Sequence, residues 1–332
     1  TALRRQRQMC IRDRFLGGVI ISSIAFAPLL IDSTNIGFIL LALFVAIPAW
    51  LVGFSTPVFA WWSFSSSRFH LSTTRQQGEA MLIAGMLSTF PAIIINSFIT
   101  PGAVLLFSGG QASATVIENI TVIVSAPVGE ELCKALAVFS LAGLIDSKKR
   151  GFQVGFTVGL GFALLENLQY ILFSLFAGEV VAFSYGLTSV VRGIGSIPGH
   201  AMWTACSGYA IGHILEQRKQ PNQIPDVKQW NLVSPFDSEI STSHFTSDEY
   251  RRTTMFSKSS DLRLPTSLPV MLGIGMFGHA FWNGSSVLMS HVSRSLDPVV
   301  GLMAELAWIV VLITSLWVVG RFVIAAAMEE GI

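Results

Sequence analysis

Apolar runs of about 20 residues recur along this chain, each long enough to cross a hydrocarbon layer about 30 Å thick as an α-helix. No other feature restricts the fold so much. Backbone placed in lipid must satisfy its own amides and carbonyls, and continuous runs of this length do so as helices. Eight such segments lie near 15–31, 36–62, 80–107, 114–145, 151–177, 190–215, 267–290 and 298–327. The 332 residues are 52% hydrophobic and 12% charged, against roughly 25% charged in soluble domains. The expected fold is all-α, a polytopic helical bundle of about eight transmembrane helices. The net charge of +1 gives no sign of a nucleic-acid partner, and none is expected. Cys10, Cys133 and Cys206 have neither paired nor metal-type spacing.

Positive charge sets the orientation. With the N-terminus inside, most of the 21 Lys and Arg residues fall on the inner side. Both termini of a multi-pass cell-membrane protein are therefore expected in the cytoplasm. Residues 1–14 hold Arg4, Arg5, Arg7, Arg12 and Arg14. They read either as a basic tail or as a non-native extension, and carry no functional weight. Residues 15–79 hold two spans and a loop, 80–216 a core of four spans, and 267–332 the last two. Residues 217–266, rich in Ser, Thr, Asp, Pro and charge, read as a cytoplasmic polar loop. Arg192, Gly193, Gly195, Pro198 and Gly199 suit a broken or re-entrant start to the sixth span. The four-residue spacing of Gly151, Gly155 and Gly159, and of Gly208 and Gly212, permits close helix approach. Gly273-x-Gly275-x-x-Gly278 matches a dinucleotide fingerprint by letters alone, because no strand precedes it.

Four polar words interrupt the apolar runs: Glu130-Glu131-Leu132-Cys133-Lys134, Phe162-Ala163-Leu164-Leu165-Glu166-Asn167, Pro198-Gly199-His200, and His279-Ala280-Phe281-Trp282-Asn283. An ionisable group in hydrocarbon costs about 2.5–3.5 kcal/mol on insertion scales and rarely persists there without a role. A rise of about 1.5 Å per residue places all four words at one depth, about 18–24 Å from the inner edge. Glu130 and Lys134 lie at i and i+4 on one face, with Glu131 turned about 100° away. One glutamate can therefore pair with Lys134 while the other faces the site. His279 and Asn283, and His200 and Thr204, share the same spacing. Taken singly, Arg192 reads as an interfacial or carboxylate-pairing residue, Glu305 as a structural carboxylate and His213 as interfacial. Together the words hold the groups needed to activate water and stabilise an oxyanion.

Carried by the Glu-Glu-x-x-Lys word, Gly161 to Asn167, Arg192 with Pro198 to Ala201, and His279-Ala280-x-Trp282-Asn283, the chain resembles the PrsW family of intramembrane proteases, within the CAAX-protease-like superfamily. The resemblance spans roughly residues 78–290. It implies a helical bundle with its site between spans and hydrolysis of peptide bonds in membrane-anchored protein substrates, an anti-sigma factor in the type member. Related prenyl-protein endopeptidases usually carry His where this chain has Glu166, which argues against that processing reaction.

Two chemistries use these side chains. In one, Glu131, Glu166, His200 and His279 hold a divalent metal such as zinc, which activates water and polarises the carbonyl. In the other, Glu131 is a general base on water, His279 and Asn283 stabilise the oxyanion, and His200 or Glu166 orients the water. Two carboxylates with two imidazoles tilt the reading toward metal. Glu130 completes the catalytic set, and Lys134, Asn167 and Arg192 support it. The rival functions are a polytopic carrier with a mid-membrane polar site and a catalytically silent scaffold of the same fold. No internal repeat of the kind carriers show is visible.

Overall fold

The computed structural model describes residues 55–69, 71, 73–175, 181–219 and 263–329. The basic tail, the span expected at 15–31, most of the one at 36–62 and nearly all of the polar loop lie outside the described residues. Every regular element among the described residues is helical. These are α1 (Ser55–Arg68), α2 (Arg75–Phe107), α3 (114–140), α4 (Lys148–Leu175), α5 (181–219), α6 (Leu268–Ser293) and α7 (Pro298–Glu329). Helix starts follow side-chain chemistry. Thr74 opens α2 with a capping box: its hydroxyl accepts from the Gln77 amide at 3.2 Å, and its amide donates to the Gln77 side chain at 3.0 Å. Ser113 caps α3 by accepting from the Val116 amide at 3.3 Å.

Prolines shape the middle helices. A proline has no amide for the carbonyl four residues back, and its ring crowds that carbonyl. Pro101, Pro127 and Pro198 each follow a five-residue π-turn by one intervening residue: Ile95–Ile99, Thr121–Ser125 and Arg192–Ser196. The wider turn absorbs the misfit. Proline alone is insufficient, since Pro91 sits in plain α-helix. Carbonyls left without an amide are taken by side chains. Gly193 O accepts from Trp61 Nε1 at 3.0 Å, Ile194 O from Trp317 Nε1 at 2.9 Å, and Val122 O from Asn283 Nδ2 at 3.1 Å. The expected break before the sixth span is thus a π-turn inside one continuous helix, α5.

The helix α4 lies at the centre, between α2 and α5, and glycines set both interfaces. A Cβ on Gly155 would meet Ala205 Cα at 2.9 Å, and one on Gly159 would meet Ala201 Cα at 2.7 Å. On the other face, Gly85 and Gly161 lie directly against α4 and α2 backbone, respectively. The glycine ladder read from the sequence is therefore the antiparallel α4–α5 seam, and it ends at His200. Phe152, Phe156, Leu160, Ala201, Ala205 and Tyr209 fill the core around it.

Outward faces are apolar: Phe98, Leu106, Phe107, Leu136, Phe277 and Val299 are all exposed. Only α2, over Arg75–Phe107, and α7, over Pro298–Met328, are by themselves long and apolar enough to cross a membrane among the described residues. Glu130, Glu131 and Lys134 in α3, and Lys148 to Arg150 with Glu166 in α4, lower the mean hydropathy of those helices.

Candidate active site

The α3 helix supplies Glu130, Glu131 and Lys134, α4 supplies Glu166 and Asn167, α5 supplies Arg192 and His200, and α6 supplies His279. Glu130, Glu131, Lys134, Asn167, Arg192, His200 and His279 are buried, and Glu166 is nearly so. Lys134 is fully enclosed. Its Nζ donates to Glu131 Oε1 at 2.6 Å and to His200 Nδ1 at 2.9 Å, and lies 4.1 Å from the Phe162 ring centroid. Glu130 Oε2 is 3.7 Å away, an ion-pair distance without a hydrogen bond. The Glu130–Lys134 pair open at i,i+4 is present as an ion pair, and Glu131 takes the hydrogen bond. Spacings of i,i+3 and i,i+4 both bring side chains together, and His200, from another helix, fixes which one the ammonium follows.

Both imidazoles are oriented by carboxylates. His279 Nδ1 lies 3.1 Å from Glu131 Oε1, and a carboxylate accepts, so the imidazole proton sits on Nδ1. The Nε2 lone pair is then free, 3.9 Å from Glu130 Oε2. His200 Nε2 lies 3.0 Å from Glu166 Oε2, while its Nδ1 accepts from Lys134. Trp203 stacks on His279 with centroids 4.6 Å apart and planes at 11°. Thr204 Oγ1 donates to Glu131 Oε2 at 3.4 Å. Arg192 donates through Nη2 to Glu166 and through Nε to Asn167 Oδ1, and its guanidinium sits 3.6 Å from the Tyr170 ring centroid.

Two buried polar atoms here have no hydrogen-bond partner: Glu130 Oε2 and Asn167 Nδ2. Asn283 does not join the cluster through a hydrogen bond; it is held by Val122 O. Residues 77–236 match the family model described as PrsW family intramembrane metalloprotease. This segment belongs to the PrsW family. No curated relative and no solved structure matches the chain. The match supports a peptidase acting on membrane proteins within the bilayer, with a divalent metal in its chemistry. Its matched segment carries the first three polar words. The fourth, with His279, lies beyond it and reaches the PrsW cluster only through the packing of α6.

The residues fit such an ion. Glu130, His200 and His279 each offer one ligand atom, all within 4.8 Å of one another. Glu130 Oε2 is a desolvated acceptor with nothing to accept from, which is costly unless a cation or proton meets it. Three carboxylates (Glu130, Glu131, Glu166) stand beside two fixed cations (Lys134, Arg192), so Glu130 is the one without a cation of its own at hydrogen-bond distance. The triad differs from the set read in sequence, where Glu131 and Glu166 were ligands. Glu131 accepts from Lys134 and His279, and Glu166 from Arg192 and His200; His200 would bind an ion through the Nδ1 that Lys134 now meets.

Sequence reasoning missed Asn96, whose Nδ2 donates to Glu130 Oε1 at 3.2 Å, and Trp203. A lone amide in the apolar run from Ile93 to Ile99 was the available signal for Asn96. Trp203 gives none, since an aromatic in a span reads as packing.

Proposed function

We propose that this chain is an intramembrane endopeptidase whose metal is held by Glu130, His200 and His279, and which cleaves membrane-anchored protein substrates. The observation that carries the reading is Glu130 Oε2, a buried carboxylate oxygen without a hydrogen-bond partner, set against two oriented imidazoles. When bound, a divalent ion there supplies an acidified water and a Lewis acid for the peptide carbonyl. Glu131 holds the His279 proton on Nδ1 and so keeps Nε2 available, the carboxylate–histidine arrangement common behind metal ligands. Glu166 takes the His200 proton on Nε2, so the lone pair His200 would give a metal is the Nδ1 one that now accepts from Lys134 Nζ, and Arg192 fixes Glu166. Asn167 Nδ2, buried and unpaired, is the amide left to donate to a developing oxyanion. This role was read in sequence for His279 with Asn283, whose NH2 gives one of its two hydrogens to Val122 O.

On this reading the chain is multi-pass in the cell membrane with about eight spans and both termini cytoplasmic. The resemblance supports a regulatory, anti-sigma-factor-like protein as substrate. The exposed apolar faces of α2 and α7 support embedding, since patches of that size on a soluble monomer mark an interface.

The test is cleavage of a panel of single-span substrates by the purified protein in proteoliposomes. Stripping with a tight chelator abolishes cleavage, and zinc restores it. Glu130→Gln is inactive while retaining wild-type helicity. Full activity after stripping would exclude the metal chemistry, and substrate flux without cleavage would favour a carrier.

A further inference from the structure

We infer that Asn96 is a positioning residue that determines which oxygen of Glu130 the metal centre receives; the inference rests on the metal-centre reading above. Asn96 lies on α2, outside the four polar words and one helix away from Glu130. Its Nδ2 donates to Glu130 Oε1 at 3.2 Å, while its Oδ1 accepts from Ser125 Oγ at 3.5 Å. Ser125 Oγ is in turn bonded to Thr100 Oγ1. An amide has a donor end and an acceptor end. A hydroxyl donating to Oδ1 therefore turns the NH2 toward the carboxylate. With Oε1 satisfied, the carboxylate is pinned, and Oε2 is the oxygen left unpartnered, 3.9 Å from His279 Nε2. Without Asn96 the carboxyl group is free to rotate, and Lys134 Nζ, already 3.7 Å from Oε2, is positioned to capture it.

The backbone is built for this contact. Asn96 sits in the Ile95–Ile99 π-turn of α2, and Ser125 closes the Thr121–Ser125 π-turn of α3. Gly129, beside Glu130, lets the two helices close. A Cβ there would meet Ile95 Cγ2 at 3.1 Å. Asn96 touches neither histidine through any hydrogen bond described, so its effect on the centre passes through Glu130 alone.

The experiment uses the full chain in detergent micelles with two readouts: Zn2+ affinity by competition with a chromophoric chelator, and the visible spectrum of the Co2+ form. In Asn96→Ala, Zn2+ affinity is expected to fall about 10–100-fold, the usual effect of removing a group behind a metal ligand. The Co2+ bands are expected to shift, with helicity retained. Ser125→Ala, which frees the amide to turn and releases the Thr100 hydroxyl, gives a smaller change in the same direction and serves alone should Asn96→Ala fail to fold. Wild-type affinity and spectrum in either folded variant overturns the inference. Glu130→Gln separates the two readings. Loss of Zn2+ in Glu130→Gln but not in Asn96→Ala sinks the role of Asn96 alone. Unchanged binding in Glu130→Gln sinks the metal-centre reading beneath it.

Discussion

Lys134 and Glu131 show how one rotamer decides roles that spacing leaves open. Both glutamates lie within reach of the lysine along α3. The ammonium goes to Glu131 because His200, on α5, offers a second acceptor on that side. Glu131 then serves two donors at once, Lys134 at 2.6 Å and His279 at 3.1 Å. Glutamine in its place keeps one carbonyl oxygen but puts an NH2 where the second oxygen was. The carbonyl can still accept from Lys134 and His279, but the negative charge that holds the Lys134 ammonium and the His279 proton is lost, and the Thr204 bond must reverse. Glu131→Gln is expected to lower the cleavage rate about 10–100-fold without loss of helicity. Initial rates at saturating Zn2+ check this, and a rate equal to wild type would remove Glu131 from the support of His279. The pairing of the polar words was legible in sequence, because each charge in an apolar run needs a partner. The allotment of partners was not, because it depends on atoms contributed by other helices.

At the scale of elements, the glycine ladder was legible and the π-turns were not. Small residues four apart mark a face for close approach, and that face is the α4–α5 seam carrying His200. Substitution tests it by sign. Alanine in a helix interior is favoured over glycine by about 0.8–1.0 kcal/mol, so Gly→Ala should stabilise wherever space allows. At Gly159 the new Cβ would meet Ala201 Cα at 2.7 Å, and backbone cannot yield as a side chain does. Gly159→Ala is expected to destabilise by about 1–3 kcal/mol. Gly102, with nothing within 4 Å, is the matched control, neutral or slightly stabilising. Thermal melts of the two variants in one detergent decide it, and equal midpoints would mean the seam is loose. The π-turns escaped because their signal is a proline acting one turn upstream. Pro198 was read as a break, whereas the helix widens by one residue and continues.

Over the whole molecule, apolar length and basic residues predict topology. The 108–113 turn and the 142–144 turn stand at opposite ends of α3. On the proposed orientation the first faces outward and the second the cytoplasm. In a background without Cys10, Cys133 and Cys206, Gly110→Cys is expected to react with a membrane-impermeant maleimide on intact cells. Gly143→Cys should react only after permeabilisation, and the reverse pattern would invert the topology.

The sequence by itself determined that the chain is helical and that its charged groups had to find one another. Backbone in lipid has no alternative partner, and isolated charge there is costly. It also supplied the first three words, the part that the PrsW family match contains. The tertiary structure decided which carboxylate oxygen stays free, brought in His279 from beyond the matched segment, turned Asn283 to Val122 and recruited Asn96. A period of 3.6 residues fixes which side chains share a face of their own helix. It says nothing of how helices rotate against one another, and each π-turn resets that rotation just beside the site.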